Sequence, residues 1–245
     1  MKKMLKRILS PRHRLSRKLR IFCFDAKNMV LYGRSAPRKF MLMYVRTGEI
    51  PQSAARRESF PVNPKRTAEV VLPGNWDLMP AERGWGESMS PILQGLRTRI
   101  MEGVAWSHTG LVDRMEKLIE ENASAIDGCR DREDVLRRYH KLDEVISFAS
   151  KTRTLRSQSS VSKTFRELGG IDVAIGRNGD VLRVGGGNHR LAIAILLELP
   201  VIPVCVNAVH PFALKSRKWS GVLKRSKRLA ELCGKNKTGR VDEEL

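Results

Sequence analysis

Along most of the chain apolar residues are interrupted by charge, but between Ile171 and Val206 they dominate. Ile171, Val173 and Ile175 occupy every second position, the period of a strand with one buried face. Asn178-Gly179 follows, a two-residue hairpin signal, because both central residues of a type I′ turn need positive φ. Val181, Leu182 and Val184 make the return strand, so Ile171–Arg177 and Asp180–Val184 are expected as antiparallel neighbours. Gly185-Gly186-Gly187 breaks that strand, and Asn188-His189-Arg190 opens a run from Leu191 to Leu197 that is apolar on nearly every side. That pattern predicts a helix buried against the sheet. Pro200 ends it, and Val201 to Val206 reads as a further strand.

Elsewhere the pattern is helical or broken. Leu111, Val112, Met115, Leu118 and Ile119 share one face of a helix ending near Asn122. Asp131 starts a longer helix, capped with the help of Asp134, whose buried stripe is Val135, Tyr139, Leu142, Ile146 and Ala149. Nearer the start, Leu19 to Phe24 and Met29 to Tyr32 read as two short strands about an Asp25-Ala26-Lys27-Asn28 turn, and Phe40 to Val45 as a third. Arg46 to Arg66, polar and carrying Pro51, Pro61 and Pro64, reads as a connector; Glu69 to Leu72 is a strand stopped by Pro73-Gly74. The chain thus divides into a basic arm (1–20), a small β-rich segment and linker (21–64), a main domain (65–211) and a basic tail (212–245).

The chemistry follows from the order of parts around the glycines. A glycine loop that delivers the chain from a strand into a helix leaves backbone N–H groups free at the helix start. With the positive end of the helix dipole they form an anion site, and glycines let a phosphate approach with no Cβ in the way. Gly185, Gly186, Gly187 and Asn188 would supply the cradle. His189 and Arg190 stand where their side chains could close over a phosphate, the guanidinium through two parallel bonds. A phosphate is expected there, with Arg190 as its strongest contact.

GGGNHRLAIA followed by LPVIPVCV resembles the signature of the ParB and sulfiredoxin superfamily. The resemblance covers Ile171 to Val206 best and implies an α/β (α+β) fold, a mixed sheet with packed helices, here with basic N- and C-terminal extensions. ParB proteins carry a G-x-x-R-x-x-x-A box that binds CTP phosphates, which falls on Gly187, Arg190 and Ala194. Sulfiredoxins carry G-G-C-H-R, in which the Cys is catalytic and the His-Arg pair helps to bind ATP; free serine kinases use a similar G-H-H-R loop. Asn188 stands where sulfiredoxin needs its cysteine, so no thiolate can attack and that chemistry is not expected. The G-x-H-R-L-A-I-A form resembles that of ParB-like proteins of phages and archaea. In relatives the helix before the first signature strand lends side chains to the nucleotide, often a Ser in an L-x-x-S-I pattern. Val145 stands at that place, and Arg137, Arg138 and Lys141 are basic instead; they could reach phosphate or form a solvated face. No helix-turn-helix-sized domain follows the signature, a departure from partition ParB that argues against a segregation role.

Charge points outward from the same core. A net charge of +20 and a pI of about 10.4 favour polyanions, nucleic acid first and an anionic membrane surface second. The charge clusters at the ends: Lys2, Lys3, Lys6, Arg7, Arg12, Arg14, Arg17, Lys18 and Arg20 precede the first acid, Asp25, and Lys215 to Arg240 is again basic. Met4, Leu5, Ile8 and Leu9 are spaced for one helix face until Pro11 interrupts them, so the arm could neutralise phosphates, lie on lipid or be a solubilising tail.

Other chemistries are excluded or left open. Cys23, Cys129, Cys205 and Cys233 form no C-x-x-C pair, which argues against zinc ribbons and thioredoxin motifs and fits a reducing cytoplasm. No apolar run approaches the ~20 residues that span a bilayer, and the basic start lacks the apolar core of a secretory signal. There is no G-x-x-x-x-G-K-[ST], and Arg190 occupies the third glycine position of a dinucleotide fingerprint. His13, His108, His140, His189 and His210 are scattered, and no metal is assigned beyond Mg²⁺ carried in with a nucleotide. Trp76, Trp85 and Trp106 lie in polar loops, where they could line a base pocket or plug the loops onto the core. Lys151 to Lys163 reads as a mobile lid or linker.

The expectation is a nucleotide-binding protein, for ATP or CTP, that also holds nucleic acid through its basic ends. An enzyme on the same cradle (NTP hydrolase, small-molecule or protein kinase, or nuclease) stays open, with His189 or Asp172, and beyond them Asp143 or Glu144, as base. No carboxylate motif marks that base, so binding is favoured over catalysis.

Overall fold

In a computed structural model the chain is described over residues 2–50, 53–55, 59–78, 80–84 and 86–238. Its helices are α1 (Lys2–Tyr32), α2 (Gly86–Glu102), α3 (Leu111–Asn122), α4 (Arg132–Thr152), α5 (Gln158–Val161), α6 (Asn188–Leu196), α7 (Pro211–Lys215) and α8 (Lys218–Thr238). Its strands are β1 (Met41–Arg46), β2 (Ser53–Ala55), β3 (Pro80–Gly84), β4 (Ile171–Ile175), β5 (Val181–Arg183) and β6 (Val201–Val209). They form one mixed sheet in the order β1-β6-β4-β5-β2-β3, with helices packed on it. The mixed α/β class read from the sequence is the class observed.

β4 and β5 are antiparallel neighbours, with Val173 opposite Arg183 and Ile175 opposite Val181. Their turn differs from the type I′ turn expected. Gly179 N–H donates to Gly176 O (3.0 Å), Gly176 N–H donates to Asp180 O (2.9 Å), and Gly179 (φ 87°) is left-handed while Asn178 is not. That is a three-residue loop with glycine at its left-handed position. α6 then carries the chain back so that β6 lies parallel to β4, on its other side. The β4–β6 register shifts by one residue after Val173, leaving Asn207 as the extra residue of a bulge.

The sequence-based division at residue 64 does not survive. β1 pairs antiparallel with β6 from Met41↔Val206 to Arg46↔Val201, so segment 21–64 supplies an edge of the main sheet. The stretch after residue 211 closes that edge. Ser226 Oγ of α8 accepts from Tyr44 N–H (2.8 Å), and Leu229 and Cys233 pack with Val201 and Tyr44. A row of free strand donors would otherwise invite pairing with another chain.

α1 replaces the two strands expected at Leu19–Phe24 and Met29–Tyr32, and it runs on through Pro11. Ile21, Asp25 and Asn28 are buried at three- and four-residue spacing. Asp25, read as a turn residue, accepts from Lys39 N–H (3.1 Å) and pairs with Arg166 (2.7 Å). Apolar residues on both faces of this helix hid its 3.6-residue period. α2 was not expected either: Pro91 stands inside it, yet Ile92, Leu93, Leu96 and Ile100 pack it into the core.

Packing decides two readings that the sequence left open, with Trp76 and Trp106 plugging loops onto the core. Trp76 is fully buried, stacked on Phe60, and its Nε1 donates to Leu72 O; Trp106 is buried on Tyr139 and donates to Asp143. Neither is open to a base, and Trp85 lies outside the described residues. Lys151–Lys163 is not a loose lid. Leu155 and Ser157 are buried, and the buried carboxylate of Glu167 accepts from Gln158 N–H (2.6 Å), Ser159 N–H (3.1 Å) and Ser159 Oγ (3.0 Å).

Candidate functional site

Gly185, Gly186 and Gly187 all have positive φ (85°, 92° and 65°), a run that L side chains rarely adopt. They lift the chain off β5 and set Gly187 as the N-cap of α6, with no side chain capping the helix. Leu191 N–H donates to Gly187 O (2.9 Å), the first bond of the helix. The N–H groups of Asn188, His189 and Arg190 therefore precede its hydrogen-bond ladder.

The loop is pressed onto the sheet. A Cβ on Gly187 would lie 2.6 Å from Ile171 Cα and 2.7 Å from Gly170 O. A Cβ on Gly186 would collide with the Asp172 carboxylate and Lys65 Nζ. Those two form a 2.5 Å ion pair beneath the loop, and Asn207 Nδ2, at the bulge, donates to the other Asp172 oxygen (2.8 Å). Burial pushes the Asp172 carboxyl up from its ordinary value, and Lys65 opposes that shift. Behind them Lys39, fully buried, donates from Nζ to the carbonyls of Pro64, Glu69 (3.1 Å) and Asn207 (2.7 Å). Burial pulls its pKa down to about 7.

The start of α6 faces a cavity of about 1260 Å³ bounded by α3, α4 and the α5 segment. Lys65, Arg114, Arg138, Lys141, Arg156 and Arg190 line it, against the acids Asp127 and Glu144. Ile92, Leu111, Met115, Leu142 and Phe148 supply an apolar wall. The cavity thus combines positive charge, an uncapped helix start and an apolar side large enough for a nucleotide-sized anion.

The residues singled out in the sequence fall in different places. Gly186, Gly187, Asn188, His189 and Arg190 line the cavity together with Arg138 and Lys141, the two cations read on α4. Arg137 instead pairs with Glu133 and Asp134 on the helix surface. Arg190 Nη2 donates to Arg156 O while its buried Nε has no hydrogen-bond partner, and burial holds its pKa below the usual guanidinium value. Arg138 is already paired with Asp127 (2.9 Å). Asn188 Oδ1 accepts from Arg183, which fixes the side chain to β5. Asp172 does not line the cavity, and its bonds leave it badly placed as a base. Asp143 binds Arg99 and Trp106 and has a structural task.

His189 turns away from the role expected of it. Its ring packs edge-on against Tyr139 (5.5 Å between centroids), with Nε2 3.4 Å from Tyr139 Oη. Burial, helped by Arg138, lowers its pKa to about 4, so the ring is neutral and adds no positive charge near pH 7. In the unfolded chain the same ring takes a proton near 6.5. Between about 6.5 and 4 the unfolded state therefore binds more protons. The stabilisation is complete above 6.5 and is lost as pH falls through that window, by up to about 3 kcal/mol. Denaturant unfolding across this range should show the loss in the wild type and a flatter profile in His189→Gln.

Lys65 and Arg156 were missed. Nothing in the Asn63-Pro64-Lys65 turn marks a site; it reaches the glycine loop because α1 and Lys39 hold it there, Arg17 Nη2 donating to Lys65 O (2.5 Å). Arg156 was read only as part of a basic lid, and its guanidinium stacks over Phe148 (4.1 Å). Among the described residues no three His, Cys, Asp or Glu side chains gather as a metal site. Compared with family models, curated proteins and solved structures, the chain finds no match.

Proposed function

We propose that the protein binds a nucleoside triphosphate, ATP or CTP with or without Mg²⁺, through the Gly185–Arg190 loop in the manner of ParB-like domains. The observation that carries this reading is the uncapped start of α6 opening into a cation-lined cavity behind three left-handed glycines. Backbone N–H groups and the helix dipole favour the phosphates, and Arg190 lines the cavity with a buried Nε that has no hydrogen-bond partner. Binding is favoured over catalysis because Asp172 is buried and paired and His189 is a weak base. Glu144 lines the cavity and is the residue on which an NTPase, kinase or nuclease reading would rest. Calorimetric titration with ATP, CTP and GTP tests the proposal; no heat with any of them overturns it. Phosphate release well above that of Arg190→Ala would turn the reading toward an enzyme.

A nucleic-acid partner is the second part of this reading, supported by the cations exposed on and before α8. Lys215, Arg217, Lys218, Lys224, Lys227 and Arg228 all face solvent, while Arg225 is within 3.5 Å of Glu49. If six phosphates of duplex DNA are neutralised, log K should fall against log salt with a slope of roughly −5. Replacing Lys224, Lys227 and Arg228 by Gln should flatten that slope by about 3 and leave triphosphate binding intact. An unchanged slope would remove nucleic acid from the proposal.

A further inference from the structure

The outer face of α1 is apolar where a helix on a protein surface is ordinarily polar. Ile21, Asp25 and Asn28 point into the protein. Leu19, Cys23, Ala26 and Val30, at spacings of four, three and four, lie on the opposite face, and all are exposed. Leu19 is 63% exposed and Val30 87%; Phe22, Met29 and Leu31 add exposed apolar surface at the margins.

The charge beside this stripe has one sign. Lys18, Arg20 and Lys27 are exposed along it. The only acid in α1 is Asp25, which is buried and bound to Arg166 and to the Lys39 N–H. The exposed surface of the helix therefore offers apolar groups and cations and nothing anionic.

We infer that α1 docks on an anionic lipid surface, its outer stripe entering the boundary between headgroups and acyl chains while the flanking lysines and arginines meet the headgroups. Long cationic side chains can bury their stems and keep their charge at the interface, which suits residues at the margins of such a stripe. The charge argues against the other occupants. A second copy would bring one cation-bearing helix face with no exposed acid against another, and a nucleic acid would satisfy the cations but leave the apolar stripe in water. α1 is not long and apolar enough to cross a membrane, so it lies on the surface. This inference is independent of the triphosphate site, which sits on other elements.

The test is flotation of the full chain with phosphatidylcholine vesicles, with and without phosphatidylserine, at physiological salt. The wild type should float only with the phosphatidylserine vesicles. The double variant Leu19→Ser/Val30→Ser changes two exposed residues, so its circular dichroism should match the wild type while its vesicle affinity drops about tenfold or more. Its affinity for duplex DNA should not change. Absence of wild-type flotation, or equal flotation of the variant, overturns the inference. So does a wild-type dimer in sedimentation equilibrium that the double variant converts to monomer, because the stripe would then be covered by a second copy. A matching loss of DNA affinity in the variant would also overturn it.

Discussion

Arg190→Ala should weaken triphosphate binding by about 1.5–3 kcal/mol, roughly 10- to 150-fold, while changing unfolding stability far less. The guanidinium contacts Arg156 O, and its buried Nε has no partner. The opposing charge that acts on it is Glu167, whose oxygens are engaged by the start of α5. Removing the side chain strands no buried carboxylate and also relieves the burial of an incompletely bonded cation. A phosphate among the Asn188–Arg190 N–H groups would lose its charge-assisted, bidentate-capable partner. Arg190→Lys should recover only part of the loss, because an ammonium keeps the charge but not the fork. Calorimetric titration read beside denaturant unfolding separates the two quantities. If Arg190→Ala lowers stability by as much as it lowers affinity, the residue is a structural tie and not the principal phosphate contact.

Gly187→Ala should destabilise the protein by roughly 2–5 kcal/mol, a large share of the ~5–15 kcal/mol that holds an ordinary domain folded. Two causes add. The left-handed conformation, φ 65°, costs an L side chain about 1–2 kcal/mol. The new methyl would also meet backbone where the chain enters β4, at Ile171 Cα and Gly170 O, and backbone leading into an inner strand of the sheet cannot easily swing aside. Gly110→Ala provides the comparison: its φ is 73°, it caps α3, and a Cβ there meets nothing within 4 Å. That variant should lose only the conformational share, about 1–2 kcal/mol. Equal losses at the two positions, measured by urea unfolding, would show that the close approach of the loop to β4 contributes nothing. Because the loop and the start of α6 move together, Gly187→Ala should also weaken triphosphate binding in the fraction that remains folded.

These two positions show how differently the site's residues are specified. Gly187 is constrained from below by the sheet and Arg190 faces the cavity from above, yet they stand three residues apart and read as one motif. The close packing explains the glycines without a ligand. The uncapped α6 start and the gathered cations are what the packing does not explain.

Local order decided much of this protein within the sequence itself. The alternation at Ile171–Ile175, the break at Gly185–Gly187 and the apolar run from Leu191 give β4, β5, α6 and β6 in the order observed, because period and glycine conformation act over a few residues. The Asp131 cap of α4 was equally local: its side chain accepts from Asp134 N–H (2.9 Å) and Asp134 from Arg130 N–H (3.1 Å). What needed distant partners was not legible. α1 looked like two strands because its outer face is as apolar as its inner one. β1 looked like part of a separate segment because its partner, β6, lies some 160 residues further on, as in Met41↔Val206 and Arg46↔Val201. Lys65 carried no motif, and only the fold sets its ammonium against Asp172 beneath Gly186. His189 looked like a phosphate ligand until Tyr139, fifty residues earlier on α4, proved to be its neighbour and burial removed its charge. Hydrophobic period and turn chemistry are properties of neighbours in the chain, whereas burial, ion pairing and pKa are set by neighbours in space. The former fixed the elements around the glycine loop, and the latter decided which side chains line the cavity and which of them carry charge.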